Sequence, residues 1–111
     1  GKLPAGRVKI IGGLSRFYCN IVAGSATIDI GNQAYTDTSG TAVAEDVDSM
    51  VDGLDVDTAG YFTMEGNTAA QKLLGGNHKF NSNDGVIIQI KSIAALANDD
   101  DVAGVITYIV S

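Results

Sequence analysis

The residues of this chain best suited to hold a ligand are the alternating carboxylates of the stretch DVDTAGYFTMEG, which begins at Asp55. A twelve-residue calcium loop takes oxygen ligands from its first, third, fifth and twelfth positions and carries glycine at the sixth. Asp55, Asp57 and Gly60 match the first, third and sixth positions. Ala59 stands at the fifth, glycine at the twelfth, and Glu65 comes one residue too early to close the site. The stretch therefore predicts no calcium loop.

A turn that leads into a strand explains the same residues better. Asp57 and Thr58 are suited to capping backbone groups, and Gly60 to a conformation with positive φ. The residues YFTM that follow favour a strand over the helix that leaves a calcium loop. We predict no metal site and no cofactor.

Acid–base and nucleophilic catalysis have few candidates, because the chain contains one histidine and one cysteine. His78 lies in the glycine-rich stretch GGNHKF and is predicted to be a loop or interface residue. Cys19 lies in the apolar run FYCNIV and is predicted to be a small buried hydrophobe. One thiol excludes an internal disulfide and a thiolate metal cage.

Sequence motifs of enzymes are missing as well. The chain has no G-x-S-x-G elbow, no phosphate-binding G-x-x-x-x-G-K-[ST] and no G-x-G-x-x-G after a strand. The stretch IIGGLS runs straight into another apolar run instead of the helix that anion binding requires. We predict a protein that is not an enzyme and has no catalytic residues.

The charges are separated along the chain. The net charge is −6, yet the first 16 residues hold four bases and no acid. The segment from Asp29 to Glu65 holds nine acids and no base. Because an acidic domain repels phosphate backbones, we expect no nucleic-acid partner. A bipolar chain can make complementary contacts with a partner protein or with copies of itself.

Length and composition indicate one domain over residues 1–111. Hydrophobic residues make up 45% of the chain, which is enough for a core. No apolar run approaches the roughly 18 residues of a membrane helix, and no charged-then-apolar leader opens the chain. We expect no membrane partner.

The hydrophobic pattern is dominated by short β-branched runs between glycine, asparagine and aspartate. Such spacing is typical of an all-β sandwich or barrel. We predict strands over residues 7–14, 17–22, 25–30, 60–65, 85–91 and 102–110. In the third of these, Ile28 and Ile30 should point inward and Asp29 outward.

Two segments favour helices. Within residues 41–54, apolar side chains recur at helical spacing (Val43, Val47, Met50, Val51 and Leu54), with Gly53 as a stop. Residues 67–74 form a weaker candidate that ends at two glycines. The predicted fold is therefore mainly β, an antiparallel sandwich of jelly-roll type with one or two short helical inserts.

Three stretches together resemble a known family. They are KLPAGRVKIIGGL near the start, GSATIDIG at residues 24–31 and GLDVDTAGYFTM at residues 53–64. This series is similar to the cement or staple proteins that decorate the capsids of short-tailed bacteriophages. The resemblance spans Leu3 to Val110 and is carried by turn and strand patterns, not by reactive groups.

The resemblance implies a jelly-roll or sandwich domain on the capsid exterior of a virion assembled in the host cytoplasm. The partner would be the major capsid protein, bound across neighbouring subunits by a homo-oligomer, a dimer more than a trimer. Such binding needs area and many copies acting by avidity, and no catalysis.

The basic, proline-anchored start supplies the predicted partner interface, namely Lys2, Leu3, Pro4 and Arg7. We picture it as an arm lying on a neighbour. Aromatic residues are enriched in interfaces, so Phe17, Tyr18, Tyr61 and Phe62 are further candidates. With 6% aromatic residues, most of them should be needed in the core. The alternative is a small β-sandwich module that binds carbohydrate or calcium through its acidic loops.

Overall fold

Twelve short strands and one 3-10 turn make up the described part of the chain. The computed structural model describes residues 1–20, 27–55, 60–64, 78–92 and 101–110. The strands are β1 (Lys2–Leu3), β2 (Gly6–Ile10), β3 (Arg16–Asn20), β4 (Thr27–Asn32), β5 (Tyr35–Thr36), β6 (Ala42–Val43), β7 (Asp46–Asp55), β8 (Gly60–Thr63), β9 (Lys79–Ser82), β10 (Val86–Ser92), β11 (Asp101–Val105) and β12 (Tyr108–Val110). The 3-10 turn, Gly12–Leu14, lies between β2 and β3.

The strands pair only with antiparallel neighbours in these ranges. One sheet has the order β1-β10-β4-β7, a second β11-β3-β8, a third β12-β2-β9, and β5 and β6 form a hairpin. The second and third sheets are linked through consecutive strands. Strands β2 and β3 follow each other along the chain, and β2 pairs with β12 while β3 pairs with β11. The prediction of a mainly β, antiparallel fold is confirmed, and the jelly-roll order stays a prediction.

One hydrophobic core joins the sheets. It draws Ile28, Ile30, Val86 and other side chains from the four-stranded sheet, and Val8, Ile10, Phe17 and Cys19 from the other two. Met50, Leu54 and Met64 are also fully enclosed. Burial on this scale supplies most of the folding free energy, at about 25 cal/mol for each Å² of apolar surface removed from water.

The helix predicted over residues 41–54 is wrong, since the segment forms β6 and the long strand β7. Ile28 pairs with Leu54 and Ile30 with Val51, so three residues of β4 (28–30) lie opposite four residues of β7 (51–54). This bulge breaks the two-residue alternation, so that Met50, Val51 and Leu54 are all buried at a spacing that imitates a helix. Valine, aspartate and glycine are moreover poor helix formers.

Asp29 holds the bulge in place. Its Oδ1 accepts a hydrogen bond of 2.8 Å from the backbone N–H of Gly53, which has a positive φ of 65°. Gly53 is thus the bulge residue within β7 and not a helix stop. The prediction that Asp29 points to solvent is also wrong, because the bulge folds over its carboxylate and leaves it buried.

A second irregularity of the β4–β7 pair surrounds Gly31. Ile30 pairs with Val51, yet Asn32 pairs with Asp46, so three additional residues of β7 loop past this point. The backbone of β7 lies directly against the Cα of Gly31. Asn32 fixes the loop through its Oδ1, which accepts a hydrogen bond of 2.6 Å from the hydroxyl of Ser49.

The other predicted elements have mixed outcomes. Strands exist in all six predicted ranges, but the range 7–14 ends in the 3-10 turn and the range 102–110 is divided between β11 and β12. Strands β1, β5, β6, β7 and β9 were not predicted as strands. The helix predicted over residues 67–74 lies outside the described residues.

Candidate functional site

Strands β3 and β8 sort their aromatic side chains onto opposite faces of one sheet. Side chains alternate along a strand, and Phe17 and Phe62 pair on the inner face, with ring centroids 6.1 Å apart. Tyr18 and Tyr61 pair on the outer face. Of the four aromatic residues predicted as interface anchors, the two phenylalanines therefore serve the interior and the two tyrosines face outward.

The two tyrosines form a tilted ring pair. Their centroids lie 5.1 Å apart with 58° between the ring planes. Tyr61 is 79% exposed, which is unusual for a large aromatic side chain on a strand. Since its ring contributes little to the core, Tyr61 adds little to the stability of the fold.

Further exposed apolar groups surround this pair. Val105 lies on β11 opposite Arg16, and Leu14 ends the 3-10 turn; both are exposed. We call the surface formed by Leu14, Arg16, Tyr18, Tyr61 and Val105 the tyrosine face. It borders a shallow depression of about 600 Å³. Arg16 is the one charged residue among those that line the depression.

The sequence signal for the tyrosine face was incomplete. Aromatic enrichment indicated both tyrosines, but Val105 and Leu14 come from segments far apart in sequence. Val105 joins the face because β11 pairs with β3, and Leu14 because the 3-10 turn projects it outward. Neither relationship is visible before the strands are paired.

The predicted N-terminal arm is tied into the fold. Lys2 and Leu3 pair with Ile87 and Val86 of β10, and the backbone N–H of Ile88 donates to the carbonyl of Gly1. Leu3 is buried in the core. The exposed members of the predicted interface are therefore Lys2, Pro4 and Arg7.

Arg7 belongs to a different surface from Lys2. It lies on β2, near Lys9, whose pairing partner on β9 is Lys79. These three bases line one depression together with Asn81 and Ile109. The fold thus brings together a basic cluster from two separate segments, and the charge pattern of the sequence predicts only the N-terminal one.

Three acidic residues lie on a different sheet from the basic cluster. Asp46, Asp48 and Asp52 all belong to β7, the edge strand of the four-stranded sheet. A hydrogen bond with the side chain of Asp46, together with partial desolvation and neighbouring negative charge, raises the pKa of Asp48 above its ordinary value. Charges on an edge strand disfavour pairing with the strands of other chains.

Cys19 and His78 do not form a reactive pair in the described geometry. Cys19 is fully buried and reduced, and burial raises the pKa of its thiol, which disfavours the nucleophilic thiolate. The prediction of a buried cysteine is confirmed. The ring of His78 packs 4.5 Å from that of Phe80 and lines a depression with Glu45 and Asp46.

Metal binding finds no support in the described ranges. Within them, no three or more histidine, cysteine, aspartate or glutamate side chains are arranged to hold a metal ion. Of the stretch DVDTAGYFTMEG, residues 56–59 and 65–66 lie outside the described residues, so the absence of a calcium loop there stays a prediction. The strand predicted after the turn is confirmed as β8. The positive φ predicted for Gly60 is wrong, because Gly60 is the first residue of that strand and has no positive φ. The helices of the described part include none that is long and apolar enough to cross a membrane.

Comparisons with known proteins leave the function to be argued from the residues. No protein-family model matches the chain, and searches of curated proteins and of solved structures return no significant match.

Proposed function

We propose that this chain is a non-enzymatic structural virion protein that binds the outer surface of a bacteriophage capsid and stabilises contacts between its subunits. The observation that carries the proposal is the tyrosine face, a cluster of large apolar side chains held outward on a rigid sheet. Tyrosine and arginine are the residues that most often dominate protein–protein binding energy. Leu14 and Val105 enlarge the contact without adding polar groups that must be satisfied.

The chemistry of the face favours a folded protein over a glycan. A sugar is held by stacking on an aromatic ring together with a dense set of hydrogen bonds, whereas Leu14 and Val105 offer no hydrogen bond. The tilt of the Tyr18 and Tyr61 rings also prevents them from forming one flat platform. An apolar protein surface with a carboxylate placed opposite Arg16 complements the face in shape and charge.

A capsid can bind a protein whose contact area for each copy is small. Stable interfaces bury on the order of 1,200–2,000 Å² in total, and one sheet face supplies only part of that area. A shell presents the same surface in many copies, so that a multivalent protein gains avidity without a larger contact. The major capsid protein is the partner that this proposal requires.

Co-sedimentation with tailed-phage capsids that lack their decoration proteins tests the proposal. We expect saturable pelleting at a fixed copy number for each shell. Tyr61→Ser should weaken binding by about thirtyfold, the effect of removing an interface hot spot of about 2 kcal/mol. Because Tyr61 is largely exposed, its replacement should leave the melting temperature within a degree or two of the parent.

Ile87→Ser is the matched control, since Ile87 is also an exposed apolar residue but lies on β10 of another sheet. It should bind like the parent. A chain that stays in the supernatant with every capsid would overturn the capsid proposal. Pelleting unchanged by Tyr61→Ser would retain the capsid as partner and exclude the tyrosine face. Melting that rises with glycan or with millimolar calcium, and not with capsids, would favour the alternative binding module.

A further inference from the structure

Strand β12 is an open edge of the β12-β2-β9 sheet. Its residues Tyr108, Ile109 and Val110 pair with Ile10, Lys9 and Val8 of β2. In the described part of the chain, no strand pairs with its other side. A row of backbone N–H and C=O groups is thereby left for another strand to bind.

The side chains of β12 are exposed on both faces of the sheet. Successive side chains point to opposite faces, yet Tyr108, Ile109 and Val110 are 42%, 54% and 55% exposed. Tyr108 lies at the cleft between the sheets, beside Ile90 and Val105, whereas Ile109 lies with the basic cluster on the outer face. A partner that covers one face of the sheet would leave either Ile109, or Tyr108 and Val110, in water. A strand added at the edge covers both.

The other edge strands differ from β12 in ways that discourage pairing. Edge strand β7 carries Asp46, Asp48 and Asp52, whereas edge strands β9 and β11 begin at Lys79 and Asp101. The two-residue strand β1 is followed directly by Pro4. Edge strand β8 has no charge, but Phe62 and Thr63 are already half-buried. Charges and proline are common protections of sheet edges, and β12 has neither.

We infer that β12 pairs with the β12 strand of a second copy of this chain, antiparallel across a twofold axis that passes by Ile109. In this register Ile109 faces its own copy and Tyr108 faces Val110, which is a favourable pair of an aromatic and a β-branched side chain. The strand is therefore complementary to itself. Exposed Ile90 lies beside Tyr108 and extends the apolar contact that a second copy covers.

Charge does not oppose this pairing. The nearest base in the sheet is Lys9, which lies one strand away from Ile109 on β2. Two such lysines across the axis are separated by three strand spacings, or about 14 Å. That distance exceeds the Debye length of about 10 Å at 0.1 M salt, so their repulsion is largely screened. None of the 13 acidic residues of the chain lies on β12.

Cysteine cross-linking tests the pairing directly. Ile109→Cys places two thiols opposite each other at the axis, where the Cα atoms of facing residues are about 4.5–5.5 Å apart, within the range that a disulfide spans. With oxidised glutathione as the oxidant, we expect most of the chain to run as a reducible dimer. The native Cys19 is buried and should form none. Ile87→Cys is the control, because Ile87 is also exposed, at 42%, but lies on β10, which is paired on both sides.

Sedimentation equilibrium of the unmodified chain supplies the second measurement. We expect a mass of twice 11.4 kDa, and Ile109→Lys should raise the dissociation constant at least tenfold, because it places two ammonium groups at the axis beside Lys9. A monomer at every concentration would overturn the inference. So would a dimer that Ile109→Lys leaves intact, or equal cross-linking at positions 87 and 109. Neither experiment contains a capsid, so this inference and the proposed function can fail separately.

Discussion

Ser15 and Thr107, 92 residues apart in sequence, hold the central joint of the fold together. The backbone N–H of Thr107 donates a hydrogen bond of 3.0 Å to the Oγ of Ser15, and the Thr107 hydroxyl donates to the carbonyl of Leu14. The Ser15 hydroxyl in turn donates to the carbonyl of Ile11, at 2.9 Å. Here the β2–β12 and β3–β11 pairings are interrupted together, so one buried serine replaces ladder bonds that the strands cannot make.

Replacing Ser15 by alanine should lower the free energy of unfolding by about 1–3 kcal/mol, the cost of leaving buried backbone groups without a partner. Ser15 is fully buried, so water cannot take over the lost bonds. Chemical denaturation measures the change. Thr107→Ser keeps both the backbone and the hydroxyl donor and should stay within about 0.5 kcal/mol of the parent. Equal effects of the two substitutions would contradict this account of the joint.

Gly31→Ala should be among the most damaging single substitutions in the described ranges. A Cβ at this position would overlap the carbonyl oxygen of Asp46 and the carbonyl carbon of Val47. These are backbone atoms, which cannot rotate away, so we expect a loss of about 3 kcal/mol. Thermal unfolding would register it as a large drop in melting temperature. Gly60→Ala is the control, because a Cβ there meets nothing within 4 Å; similar losses at both positions would rule out the close approach as the cause.

Removing the carboxylate of Asp29 should open the β7 bulge. Asp29→Ala leaves the N–H of Gly53 without its acceptor and is expected to cost about 1–3 kcal/mol. Asp29→Asn preserves an acceptor oxygen of the same shape and should cost less. Hydrogen exchange at Gly53 provides a local readout, since loss of the bond should accelerate exchange there before the rest of β7. Unchanged exchange at Gly53 in the alanine variant would show that the bulge does not depend on Asp29.

The β5–β6 hairpin should lose stability in acid through Asp37. Its Oδ1 accepts hydrogen bonds from the backbone N–H of Thr41, from the Ser39 hydroxyl and from the Ser39 N–H. These bonds, the one from Thr41 first, hold the pKa of Asp37 below its ordinary value. The native state therefore binds this proton more weakly than the unfolded chain, whose aspartates titrate near about 3.9. The stabilisation is present above that pH and is lost as the pH falls through the lower, folded value.

Melting temperatures of the parent and Asp37→Asn, compared between about pH 6 and pH 2, isolate this contribution. The parent should be the more stable protein near pH 6, and the difference should shrink as the pH falls. A difference that stays constant across the range would show that the carboxylate charge has no part in the turn.

Local pattern was sufficient for most of the strands and for Cys19. Alternating β-branched residues report directly on a half-buried strand, and an apolar run reports on a buried thiol, because both depend on near neighbours in sequence. The segment from residue 41 to 54 failed for the opposite reason. Its burial pattern is set by how β7 bulges against β4, and the carboxylate that holds the bulge, Asp29, lies 24 residues away from Gly53.

The sequence by itself determined the class of the fold, the burial of the thiol and the separation of basic and acidic segments, since composition and local alternation carry these properties. Only the tertiary structure decided which residues share a surface. Strand pairing places Val105 and Leu14 beside the tyrosines, unites Lys79 with Arg7 and Lys9, and leaves β12 at an open edge. Those relationships depend on contacts between distant segments, and their register follows from the packing of the whole core.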